Sequence, residues 1–251
     1  MVQRLARSLV VIGGLYVASS FVALPLWAAE RKGQRTADSA QAPPTNYVAI
    51  DSAEVRRILP PAPVAGSLAD KADLETVLRV QAARTPSDVA LAERVAMTDF
   101  GVIWPGYSND QFPVTAKLLG EVFTDLAMVL ASAKDLYQRP RPPKSHAEVK
   151  PCLIVPGSFS YPSGHSTVGF VFASVLGAIV PDKRADTLDR AHLFAWARVM
   201  GGVHYPCDIV GGRLLADAFV TRLIKNPDFQ AKLRACRAEL TSAPVGAHSG
   251  P

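Results

Sequence analysis

The chain has 251 residues, 49% of them hydrophobic and 20% charged, with a formal net charge of +5 at neutral pH. That length and composition suit one domain of ordinary size with a substantial core and exclude a chain that is disordered throughout. The basic excess is mild and no polybasic block occurs, which argues against nucleic acid or an acidic membrane surface as partner.

Residues 1–28 have the order of a secretory signal peptide: Arg4 and Arg7, an uncharged apolar run, then Pro25 and the small Ala28 and Ala29 ahead of the first acid, Glu30. Cleavage near Ala28 or Ala29 predicts a periplasmic mature protein, whose formal charge drops to +3 with the loss of those two arginines. The apolar run is also long enough to act as an uncleaved anchor. Residues 29–63, rich in Gln, Ala, Pro and Ser, read as a linker or an arm lying on the domain.

From 64 to 240 the pattern is helical. A first helix starts after Ser67 and carries Leu74, Val77, Leu78 and Ala82 on one face, and a second follows "TPSD". The third, over about 113–138, has the stripe Leu118, Val122, Leu126, Val129, Ala133 and Leu136 and stops where "QRPRPPK" removes backbone donors at Pro140, Pro142 and Pro143. The fourth is the apolar segment behind His165, ending near Pro181; a fifth covers roughly 184–203; the sixth begins at Pro206; the last is capped by Asn226 with Pro227 in its first position. Nothing alternates with period two for long. The expected fold is all-α, a single-domain helical bundle with a flexible tail at 241–251. No integral membrane domain is expected in the mature chain, because 168–180 is too short and Glu121 and Asp125 interrupt the long third helix. Cys152, Cys207 and Cys236 predict one disulfide and one leftover thiol in an oxidising compartment, with the pairing open; their spacing fits no zinc motif.

Three short stretches place cations and histidines at helix ends. In "KDLYQRPRP", Lys134 lies in the last helical turn and Arg141 in the proline-stiffened loop beyond; a lysine there also suits the helix dipole without any function. In "YPSGHST", Ser163 and Gly164 precede the unpaired first amides of the fourth helix, a natural seat for phosphate, although Ser163 can equally be a plain cap. In "ARVMGGVHYPCDIVGGR", Asp208 stands in a first helical turn where it either caps the helix or accepts the proton on one ring nitrogen of His204, leaving the other as a nucleophile; Arg198 precedes the glycine pair. Two histidines, a carboxylate and three cations that keep their charge near neutral pH fit transfer of a dianionic phosphoryl group. His165, His204 and Asp208 can also be drawn as a two-histidine, one-carboxylate metal site, but three cations in one pocket repel a divalent ion, so neither metal nor cofactor is expected.

The order Lys-x6-Arg-Pro, Pro-Ser-Gly-His, Arg-x5-His-x3-Asp, here Lys134, Arg141 with Pro142, Pro162 to His165, Arg198, His204 and Asp208, resembles the signature of the phosphatidic acid phosphatase type 2 superfamily. The leader, the "LPPAP" arm, the helix pattern and the closing "NPDFQAKL" look like its class A bacterial nonspecific acid phosphatases. The resemblance implies a bundle of the acid phosphatase and vanadium haloperoxidase type and hydrolysis of small phosphate monoesters at acid pH. It implies that Lys134, Arg141 and Arg198, with Ser163 and the amide of Gly164, hold the phosphoryl oxygens. His204, oriented by Asp208, would form a phosphohistidine, and His165 would serve as acid and then base. Ala197 stands where the family usually has serine, which removes a hydrogen bond trimming the arginine. Arg139-Pro140 offers a competing "RP" that lacks the six-residue spacing.

The rivals are a vanadate-dependent haloperoxidase and a catalytically silent phosphate-binding protein on the same scaffold. His146, His192 and His248 carry no reading beyond core or surface; Tyr161 and Tyr205 border the motifs and either line the entrance or pack. The physiological ester, transfer to other alcohols and assembly into a homo-oligomer stay open.

Overall fold

The structure, a computed structural model, describes residues 45–96 and 100–242. The expected signal peptide and the last residues of the expected tail lie outside these, as does His248. Ten α-helices follow in order: α1 (Ser52–Ile58), α2 (Leu68–Ala83), α3 (Pro86–Arg94), α4 (Phe100–Ile103), α5 (Pro113–Tyr137), α6 (Pro142–Ser145), α7 (Gly164–Ile179), α8 (Arg184–Met200), α9 (Pro206–Leu223) and α10 (Pro227–Ser242). A 3-10 turn at Pro181–Lys183 links α7 to α8. The described residues contain no strand, so the fold is all-α.

Local chemistry sets the helix ends. Ser67, Thr85 and Ser163 each accept a first-turn amide at the start of α2, α3 and α7, and Asn226 accepts from Asp228 and Phe229 to start α10. Gln138 takes a left-handed conformation (φ 47°) to end α5, and Pro140 follows. Helix α8 stops at Met200, short of the expected 203, because Gly202 turns the chain at φ 72°.

Helix α7 is buried on nearly every side and packs chiefly on α8 and α9. Gly212 of α9 permits this. A Cβ there would lie 2.6 Å from the Ser163 carbonyl oxygen and 2.7 Å from Ser166 Cβ. The close approach also lets Ser163 N donate to Asp208 O (2.9 Å) and Ser166 Oγ to Ile209 O (2.8 Å), so the N-terminus of α7 and the first turn of α9 are one rigid unit.

On α5 the expected stripe is buried from Leu118 through Ala133, with Leu136 at its edge. On α2 it is not: Val77 is buried, Leu74 and Leu78 are half-buried, Ala82 is exposed, and Asp70 and Asp73 turn inward. Residues 45–63 lie on the domain and include α1. Asp125 accepts the amides of Asn46, Tyr47 and Val48, while Tyr137 and Tyr161 donate to the carbonyls of Leu59 and Pro60. The expected disulfide is absent: all three thiols are free. Cys207 lies against Arg139, Cys236 is buried in α10 near Thr115, and the Cys152 amide bonds Gly201 in a different loop. Among the described residues no helix is long and apolar enough to cross a membrane.

Candidate active site

The end of α5, the loops around α6, the start of α7, the end of α8 and the start of α9 converge. His204 is 1% exposed and Asp208 is fully buried. Nδ1 of the histidine lies 3.1 Å from Asp208 Oδ2, and the same oxygen accepts the Tyr205 amide at 2.9 Å. Asp208 therefore caps its helix and orients the ring at once, uniting the two sequence alternatives. With the proton on Nδ1, Nε2 carries the lone pair, and Arg141 Nη1 lies 3.0 Å from it. Burial, then the charges of Arg141, Lys134, Arg198 and Arg139, hold the imidazole well below its ordinary pKa and keep it neutral.

Arg141 is nearly buried and is held by the carbonyls of Ser158 (2.7 Å) and Val203 (2.9 Å). Arg198 is 3% exposed, and its Nε and Nη1 have no protein hydrogen-bond partner. Two buried guanidinium N–H groups in that condition call for an anionic acceptor. Ala197 is fully buried beside it, and no other side chain takes the place of the serine hydroxyl at these N–H groups. Burial, then Arg141, lowers Arg198 to about 10, still charged at neutral pH.

Lys134 departs from expectation. Its ammonium donates to the carbonyls of Phe159 (2.5 Å) and Pro162 (2.9 Å), and burial, then Arg141, pushes it down to about 7 against the pull of Asp208. It therefore titrates near neutrality, unlike the two arginines. Ser163 Oγ accepts the Ser166 amide as the cap of α7, and a Cβ on Gly164 would touch the Lys134 stem at 3.9 Å. His165 is half-buried, with Nε2 3.1 Å from the Ala96 carbonyl and its ring beside Phe194; burial, then Arg198, lowers its pKa well below the ordinary value.

Several groups at this center were not legible in the spacing. Ser160 Oγ donates to Asp208 Oδ2, and Arg139 Nη1 donates to Asp208 Oδ1 at 3.0 Å while Nη2 meets Asp70 and Asp73. The duplicated "RP" was the one signal pointing at Arg139. Tyr161 and Tyr205 are buried and His146 packs edge-on to Tyr205, whereas His192 is exposed with its ring edge-on to Phe170.

Residues 114–230 match the family model described as the PAP2 superfamily. Over 244 residues the chain is 29% identical to a non-specific acid phosphatase of Providencia stuartii, covering 90% of this chain and 95% of that one. Over 90 residues it is 34% identical to an acid phosphatase of Zymomonas mobilis, a match spanning 34% of that protein. A bacterial vanadium-dependent iodoperoxidase shares the fold at 19% identity, with a TM-score of 0.55 over 71% of this chain and 54% of that one. Every site position predicted from the sequence falls within 114–230, and the chain carries a PAP2 superfamily domain.

Proposed function

We propose that this protein is an acid phosphatase that hydrolyses phosphate monoesters through a phosphohistidine on His204, without a metal. The observation that carries the reading is the neutral, buried imidazole whose Nδ1 is held by Asp208 and whose Nε2 faces a guanidinium. Arg141, Arg198 and protonated Lys134, with the first amides of α7, bind the phosphoryl oxygens; Ser163 shapes that helix end. The Nε2 lone pair attacks phosphorus as the ester P–O bond breaks, and the departing alkoxide takes a proton from His165. The same residue then removes a proton from water, whose oxygen attacks phosphorus. The P–N bond breaks, inorganic phosphate leaves and His204 returns neutral. A dianion opposes the depression of the His165 pKa, which suits it to donate in the complex.

A metal-centred route fits these atoms poorly. Both Asp208 oxygens and His204 Nδ1 are already engaged with Arg139, Ser160, Tyr205 and one another. The order of residues 1–28 supports export to the periplasm.

Purified mature protein tested on a panel of phosphomonoesters should release phosphate, keep that activity in a chelator and lose it to vanadate. Loss to chelator with indifference to vanadate would contradict the reading, and halide oxidation after vanadate loading would point to the haloperoxidase rival. Lys134 adds a pH signature. An anion favours the protonated amine, so above the free value of about 7 binding must take up a proton. Sulfate, whose charge is constant over this range, should bind about tenfold more weakly for each pH unit above that value, until the pKa of the complex is passed. Calorimetry from pH 6 to 9 checks this, and a flat affinity would remove Lys134 from the anion seat.

A further inference from the structure

Arg139 has no part in the reaction as written, yet its surroundings are more elaborate than those of any cation that does. It is 5% exposed, and its guanidinium lies over the Tyr205 ring at 3.8 Å. Nη1 donates to Asp208 Oδ1 (3.0 Å) and lies 2.6 Å from Cys207 Sγ. Nη2 meets Asp70 Oδ1 at 2.9 Å and Asp73 Oδ2 at 3.0 Å. The backbone joins in: the Arg139 carbonyl accepts the Ser160 amide at 2.7 Å, and Ser160 Oγ donates to the other oxygen of Asp208. Residue 139 thus acts on both oxygens of the carboxylate that holds His204.

We propose that Arg139 is a positioning residue for phosphoryl transfer, clamped by the acidic pair Asp70 and Asp73 of α2 so that it fixes Asp208, and through it the ring of His204. The inference rests on the function proposed above. The chemistry is that of a fully buried carboxylate. Without a counter-charge on Oδ1, Asp208 would be left with an unpaired buried oxygen and would rotate about its Cβ–Cγ bond, which takes Oδ2 away from His204 Nδ1–H. A lone arginine in this crowd of cations would itself be repelled. Burial works against its charge, and Asp208, Cys207, Asp70 and Asp73 together more than offset that, holding it above its ordinary pKa. The planar fork reaches α2 with one nitrogen and α9 with the other, which an ammonium cannot do.

A cavity of about 430 Å³, lined by Asp70, Gln138, Arg139, His146 and Tyr205 among others, opens onto the outer side of this guanidinium. It gives a small cation a route to the position that a truncated side chain would leave, and so supplies a test that a purely architectural role would not pass.

The test uses the mature chain with p-nitrophenyl phosphate, circular dichroism to establish folding, and ring-nitrogen NMR of His204. Arg139→Lys is expected to lower kcat about 10- to 100-fold with KM within about twofold, and to replace the single Nδ1–H tautomer of His204 by a mixture. In Arg139→Ala, millimolar guanidinium is expected to restore kcat in a saturable way. A folded Arg139→Lys protein with wild-type kcat and an unchanged tautomer overturns the proposal, as does a folded Arg139→Ala protein that is slow yet insensitive to guanidinium. If the Arg139 variants do not fold, Asp73→Asn takes their place: a severalfold lower kcat with a disturbed tautomer supports the clamp, and no change in either overturns it. If the wild-type chain hydrolyses no ester, the proposed function fails while the tautomer comparison still decides whether Arg139 positions His204.

Discussion

Replacing His204 by alanine is expected to cut turnover of phosphate monoesters by about 10⁴-fold or more, as for the loss of any attacking nucleophile, while the protein keeps its fold and its affinity for sulfate. The fold survives because Asp208 retains Arg139, Ser160 and the Tyr205 amide when the imidazole goes. The lost contact and the space left behind cost on the order of 1–3 kcal/mol. Anion binding survives because Arg198 keeps its two N–H groups without a protein partner, and Arg141 loses the Nε2 atom at 3.0 Å that competes for it. Steady-state kinetics beside sulfate calorimetry on the same preparation check both halves. A silent binding protein would have no turnover to lose, and a metallohydrolase would lose metal affinity along with its turnover.

Asp208→Asn is expected to lower kcat by about 10³- to 10⁴-fold, the scale seen when an orienting carboxylate becomes an amide and the histidine takes the wrong tautomer. The reason lies in the donors aimed at the group. Oδ2 receives Ser160 Oγ, His204 Nδ1–H and the Tyr205 amide; Oδ1 receives Arg139. An amide has one acceptor oxygen. If that oxygen faces the first set, its NH₂ meets Arg139 donor to donor. If it faces Arg139, its NH₂ points at His204 Nδ1 and drives the proton to Nε2, where no lone pair then remains for phosphorus. Breaking a buried ion pair on one side also costs on the order of 3 kcal/mol, so the melting temperature should fall. Glu or Gln in place of an exposed acid such as Asp217, which pairs with the half-buried Arg213, should do neither.

The positions that carry the proposed chemistry were legible because each lies near a helix boundary marked in the sequence by proline, glycine or a capping residue. Pro140, Pro142 and Pro143 fix where α5 ends, Ser163 where α7 begins and Pro206 where α9 begins, and the motifs sit on those punctuation marks. What surrounds them was not legible. Arg139 meets Asp70 and Asp208 from 69 positions away in each direction, and no local pattern encodes such a pairing. The inward turn of Asp70 and Asp73 reverses the polarity expected of a helix face, because their partner is an arginine from another element. Helix α1 was read as arm because seven residues with Val55 alone buried make too short a stripe. The fall of Lys134 to about 7 is a tertiary effect of burial and a neighbouring guanidinium, invisible in a lysine near a helix end. The single disulfide expected from an odd cysteine count failed for the same reason: counting says nothing of where thiols lie.

The proposed mechanism turns on Nε2 of His204 taking the phosphoryl group. A single turnover of a phosphate monoester, quenched in alkali to preserve a P–N bond and followed by digestion and mass spectrometry, addresses it directly. One phosphoryl group is expected on the peptide containing His204, absent from His204→Ala. Ester hydrolysis proceeding with that histidine never labelled, or with the label on another residue, would contradict it.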